Sequence, residues 1–115
     1  MKSNYLINDN IAVFTLDPKD KQFENMGLEI LKISKKDFFY HAIFDLTLFD
    51  IISSEDIIFI EKLVHILKLH HIDVIVCNFN VYSASIIFHF IDDISFKTEL
   101  NVQKAIDVIK NNKKK

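Results

Sequence analysis

Phe38-Phe39-Tyr40-His41-Ala42-Ile43-Phe44-Asp45-Leu46 is a long apolar and aromatic run with no helical period. Such a run describes a strand covered on both faces, because a strand open to water on one side alternates apolar with polar residues. Ile72-Asp73-Val74-Ile75-Val76-Cys77 has the same character. Between the two runs, Ile57, Ile60, Leu63, Val64 and Leu67 recur at helical spacing and define a helix reaching about His70. Two buried strands joined by a helix make a parallel βαβ unit with a right-handed crossover. The first run therefore belongs at the centre of an α/β sheet.

The flanking segments extend the same pattern. Tyr5-Leu6-Ile7 and Ile11 to Leu16 read as two strands around Asn8-Asp9-Asn10, since Asn and Asp tolerate the left-handed backbone of a tight turn. Pro18 ends the second strand, and Asp17 is placed to cap a helix with Pro18 at its first position. Phe23, Met26, Gly27, Ile30 and Ile33 form the apolar stripe of that helix, with Gly27 permitting close approach to the sheet. Ser53 and Asp56 have the spacing of a capping box at the start of the next helix, with Asp where Glu or Gln is usual. Ser83 to Ile91 reads as a short third helix and Ser95-Phe96 as a minor strand. Val102, Ala105, Ile106 and Ile109 form the inner face of a last helix. The expected architecture is one α/β domain over residues 1–112, a small, mixed, mostly parallel sheet opened by a β-hairpin with about four helices, followed by a disordered lysine tail at 113–115.

Composition removes several classes of function. Half of the 115 residues are hydrophobic, which is ample to offset the ordering entropy of one compact core. Fourteen Lys and Arg against sixteen Asp and Glu leave a net charge of −2, without the basic surplus of a nucleic-acid binder. One Gly and one Pro leave no room for a P-loop or a dinucleotide fingerprint. One cysteine, Cys77, excludes an internal disulfide and a cysteine-rich zinc site, and suits a reducing cytoplasm. Neither an export signal nor a membrane-spanning run is read in the chain, since the most apolar windows are broken by Glu61, Lys62, His65 and Asp73.

The stretch Phe44-Asp45-Leu46-Thr47-Leu48-Phe49-Asp50-Ile51-Ile52-Ser53-Ser54 resembles the STAS domain, the fold of anti-sigma factor antagonists and of sulphate-transporter tails. In that family a central strand ends in an Asp-Leu-Ser/Thr stretch, and an Asp-Ser or Asp-Thr opens the next helix shortly afterwards. The likeness extends to Val74 to Asn80, Ser83 to Ile94 and Val102 to Ile109, and so spans essentially the whole chain. It implies a non-catalytic, cofactor-free regulator that works by partner switching. The implied partners are a serine/threonine switch kinase of the anti-sigma factor type and related STAS proteins, with homo-oligomers as a further option. With no N-terminal sensor module and no Gly after the phosphosite position, the chain looks most like the stressosome scaffold antagonists. By position Ser54 matches the family's phosphorylated residue, with Ser53 as the alternative, while Ser53 stands where the family usually has Asp. Asp50, Ser53, Ser54, Glu55 and Asp56 are the candidate partner contacts, joined by Tyr82 and Ser83, which fall at the same sheet end as Ser54 if the Ile72 to Cys77 strand is parallel to the Phe38 to Leu46 strand.

The residues give that corner a physical reading of its own. A phosphate on the first turn of a helix meets free backbone N–H groups and the positive end of the helix dipole, and adds about −1.5 to −2 of charge. Glu55 and Asp56 oppose it, since they already occupy the favourable dipole position. The plainer alternative is that Ser53 and Ser54 only cap the helix in a constitutive scaffold, or in a structural STAS subunit of a stressosome-like or lipid-transport complex. A small-molecule module at the strand carboxyl ends follows from the open-sheet rule alone. Elsewhere, His65, His70 and His71 lack zinc-ligand spacing and read as solvated or helix-terminal imidazoles, so no metal is expected. Cys77 reads as a small buried hydrophobe, Asp45 and Asp50 as loop caps, and the C-terminal lysines as a solvated tail.

Overall fold

The computed structural model describes residues 5–8, 10–19, 23–79 and 96–113. In chain order the elements are β1 (Tyr5–Asn8), β2 (Ile11–Thr15), α1 (Phe23–Asp37), β3 (His41–Asp45), α2 (Ser54–Leu69), β4 (Asp73–Cys77), β5 (Lys97–Glu99) and α3 (Val102–Lys113). One sheet has the order β1-β2-β3-β4-β5, with β1 antiparallel to β2 and every later neighbour parallel. Asn8 pairs with Ile11, and Asn10 takes φ 64°, so the opening hairpin turns on the left-handed residue that the Asn/Asp cluster permits.

The absence of alternation in the central strands follows from helices on both faces. Ala42 and Phe44 of β3 and Val74 and Val76 of β4 join the core beneath α1 and α2. Ile43, Ile75 and Cys77 turn the other way and pack with Ala105 and Ile109 of α3. Phe14 stands at the middle of the larger core, with ring centroids 5.8 Å from Phe39 and 6.2 Å from Phe44, the latter pair edge-to-face at 77°.

Several boundaries differ from those expected. The chain turns at residues 18–19, where the Asp17 carboxylate accepts the Lys19 backbone N–H at 2.9 Å, and α1 begins at Phe23. Asp17 thus closes a turn rather than capping a helix. Helix α1 continues to Asp37, and Phe38 ends it in the left-handed region, φ 51°, with its N–H donating to the Ser34 carbonyl at 2.9 Å. The central strand consequently starts only at His41; Phe38 and Tyr40 lie 67% and 61% exposed. Phe39 alone of that trio is buried, held by Phe14. The last strand falls on Lys97–Glu99, after Phe96, which is buried as a core side chain. Lys113 closes α3 rather than opening a tail. Three helices lie among the described residues; the expected helix at Ser83 to Ile91 lies outside them.

Gly27 meets α2, not the sheet. A Cβ built there lies 3.6 Å from both Leu63 and Ile66 side chains, an ordinary van der Waals distance. Gly27→Ala fits this space and removes the helix-interior penalty of glycine, so it is expected to stabilise the fold by about 0.5–1 kcal/mol. Denaturant titration checks this: a higher midpoint at unchanged slope is the expected result.

Candidate partner-docking site at the start of the second helix

The site is built from the exit of β3. The Asp45 carboxylate accepts the backbone N–H of Thr47 at 3.0 Å and also its hydroxyl, which turns the chain off the sheet. The backbone on either side is fixed to neighbouring strands: Leu16 N–H donates to the Asp45 carbonyl at 3.0 Å and Leu46 N–H to the Cys77 carbonyl at 2.9 Å. Phe49 N–H closes a turn on the Leu46 carbonyl at 2.9 Å. Two buried anchors, Phe49 and Ile52, hold this loop to the core while Leu48, Asp50 and Ile51 face outward.

Ser53 is the N-cap of α2. Its hydroxyl accepts the Asp56 N–H at 3.1 Å, and its own N–H donates to the Asp56 carboxylate at 2.9 Å. The expected capping box is therefore formed with Asp in the reciprocal position. Asp56 is only 6% exposed, so it stabilises the corner from beneath. Asp50, Ser53, Ser54 and Glu55 remain on the surface. Ser54 occupies the first helical position, exposed, and its hydroxyl makes no hydrogen bond among the described residues. Leu48 and Ile51 are exposed on the loop that leads to it, and Ile58 is exposed one turn further along α2. That apolar setting is the part sequence reasoning missed. Its trace is the pair of doublets Leu48-Phe49 and Ile51-Ile52, each with one residue turned in and one turned out.

The remaining candidates separate in space or in chemistry. Tyr82 and Ser83 lie outside the described residues. His65, His70 and His71 are exposed, and the His70 N–H closes the end of α2 on the Leu67 carbonyl at 3.0 Å. Among the described residues no three His, Cys, Asp or Glu side chains are gathered for a metal ion. No described helix is long and apolar enough to cross a membrane.

Cys77 is fully buried, and burial pushes its thiol up to about 12, with the negative charge of Asp45 opposite it in the sheet acting in the same direction. At pH 8 its thiolate fraction is about a thousandfold below that of an ordinary thiol of pKa 9.0. Iodoacetamide is therefore expected to modify Cys77 at least that much more slowly in the native protein than in guanidinium, and comparable rates would contradict the placement. The same shift acts on stability. Below pH 9 both states hold the proton and nothing changes; from about 9 to about 12 the unfolded chain loses it first. Stability is expected to fall there by up to about 1.4 kcal/mol per pH unit, a slope that Cys77→Ala should lessen.

No family model matches the chain, and no curated protein matches it. Solved structures do. The Moorella thermoacetica protein RsbS carrying a serine-to-glutamate substitution superposes with a TM-score of 0.78 at 14% identity, over 100% of both chains. A chain from the molecular architecture of the stressosome, a signal integration and transduction hub, gives 0.80 at 17% identity over 96% of this chain and 99% of that one. The protein TM1081, solved by NMR, gives 0.70 at 14% identity over 93% and 87%. The chain thus has the fold of RsbS and of the stressosome chain, the STAS fold that the stretch from Phe44 to Ser54 resembles.

Proposed function

We propose that this chain is a non-catalytic, cytoplasmic STAS regulator that acts by partner switching, with Ser54 as the phosphorylated residue that controls docking. One observation carries the reading. Ser53 caps α2, and the Ser54 hydroxyl is exposed and makes no hydrogen bond among the described residues. A phosphate at Ser54 leaves both capping hydrogen bonds in place and adds about −1.5 to −2 of charge beside exposed Asp50 and Glu55, against the neighbouring apolar side chains. The partners of this reading are a serine/threonine switch kinase of the anti-sigma factor type and related STAS proteins. Support comes also from the fold shared with RsbS, which persists in a form where a serine has become glutamate.

A constitutive scaffold is the second reading, favoured by Ser53 standing where the family usually has Asp. There the same corner is permanently occupied and Ser54 serves only as the first residue of the helix. Incubation with the cognate kinase, followed by phosphopeptide mapping, separates the two. Phosphate on Ser54 is expected; phosphate confined to other residues overturns the first reading.

A further inference from the structure

The end of the sheet remote from Ser54 carries a second surface. Strands β2, β3 and β4 are parallel, so α1 and α2, each joining one strand to the next, run back across the sheet and finish together at its amino end. There the loop from α1 into β3 lies beside the loop from α2 into β4: His41 pairs with Asp73, and the Asp73 N–H donates to the Tyr40 carbonyl at 2.9 Å. Phe38, Tyr40 and Leu69 stand exposed at this junction, and exposed His70 and His71 follow Leu69 in the chain.

Folding does not account for Phe38. It holds φ 51° directly after α1, where glycine adopts the left-handed backbone without penalty, and most of its ring lies in solvent. Exposed His71 holds φ 64° just beyond α2 in the same way. A side chain that strains its own backbone and buries little is explained by a contact outside the fold. The charge around it is basic. The last two turns of α1 and α2 carry exposed Lys32, Lys35, Lys36, Lys62 and Lys68, against half-buried Asp37 and, at the start of β4, exposed Asp73. Glu29 and Glu61, the next acids back along the two helices, are half-buried. Lysine near a helix end offsets the carbonyl dipole, which accounts for Lys35, Lys36 and Lys68 but not for the exposed rings beside them.

We propose that this end seats the protein on an anionic lipid surface, with Phe38, Tyr40 and Leu69 in the headgroup layer and the lysines against the lipid phosphates. Aromatic rings favour that layer, and long ammonium side chains around an apolar tip follow its mobile charges. Lysine is depleted from protein interfaces, where Arg is the usual basic anchor, and every Lys or Arg position in this chain is lysine. The contact is peripheral, since no described helix is long and apolar enough to cross a membrane. Ser54 lies at the carboxyl end of the sheet, so a seated protein turns the partner corner toward solution. The inference goes beyond the partner-switch reading and does not depend on it.

The test is co-sedimentation of the full chain with vesicles of equimolar phosphatidylglycerol and phosphatidylcholine, and with vesicles of phosphatidylcholine alone. The wild type is expected to bind the anionic vesicles at least about tenfold more tightly, and to lose that preference in 0.5 M NaCl. Phe38→Gly removes the ring and gives the left-handed position its preferred residue, so its thermal midpoint should match or exceed that of the wild type while its vesicle affinity falls at least about fivefold. Tyr40→Ser, which leaves the Phe38 backbone untouched, is expected to lose affinity in the same direction. Lys35→Ala/Lys36→Ala/Lys68→Ala, checked for folding by circular dichroism, should fall at least about tenfold, and Ser54→Asp should bind like the wild type. A wild type that stays in the supernatant with the anionic vesicles overturns the proposal. So does binding indifferent to salt and to the lysine substitutions, or full affinity in both Phe38→Gly and Tyr40→Ser.

Discussion

Phe14→Ala is expected to destabilise the fold by about 3–5 kcal/mol, the largest effect of any truncation considered. Phe14 is 1% exposed on β2, and its ring lies against both Phe39 and Phe44. Truncation removes the apolar area of the ring and both aromatic contacts, and leaves a void bounded by a strand on one side and helices on the other. Neither boundary can collapse into it without breaking the pairing of Phe14 with Phe44 in the parallel ladder. A domain of this size has a total stability of roughly 5–15 kcal/mol, so the variant should sit near the limit of folding. Thermal unfolding checks this: a fall in Tm of at least about 10 °C is expected, and a shift of only a few degrees would contradict the packing described.

Ser53 and Ser54 are adjacent yet should fail in opposite ways. Ser53→Ala deletes the acceptor of the Asp56 N–H, and is expected to cost about 1 kcal/mol of stability while leaving the partner surface in place. Ser54→Asp deletes no hydrogen bond among the described residues and puts a negative charge in the first turn of a helix, which favours it. Its stability should stay within about 0.5 kcal/mol of wild type. Under the partner-switch reading its effect falls on binding, since a charge is brought against a partner docked at a corner where Leu48, Ile51 and Ile58 are exposed. A penalty of about 2 kcal/mol, roughly a 30-fold loss of affinity, is expected. Calorimetric titration of the switch partner into the two variants measures this, and equal affinities would argue for the constitutive scaffold.

What could be read in the residues divides along physical lines. β4 and α2 were legible because their signals are local: a short run buried on both faces, and apolar residues at helical spacing behind a Ser-to-Asp cap. The start of β3 was not. Phe38 and Tyr40 prolong the apolar run, and only Phe39, through a ring on a distant strand, draws the chain into the core. A left-handed Phe38, where glycine is usual, gave no composition signal for the end of α1. Asp17-Pro18 carried a good helix-start signal, but the carboxylate reached Lys19 first. For Gly27 the stripe showed which face is buried and not which neighbour covers it. At the candidate site the cap was legible and the exposed apolar surface was not, because Ile51 and Ile52 are identical in type and differ only in which way the loop turns them.

The central claim is that the charge state of Ser54 selects the partner. Wild-type, Ser54→Ala and Ser54→Asp proteins serve as parallel baits in native cytoplasm, and the bound proteins are quantified by mass spectrometry. A kinase or STAS protein held by the wild type and by Ser54→Ala, and reduced at least tenfold on Ser54→Asp, is the expected result. One partner set recovered equally by all three baits would contradict it.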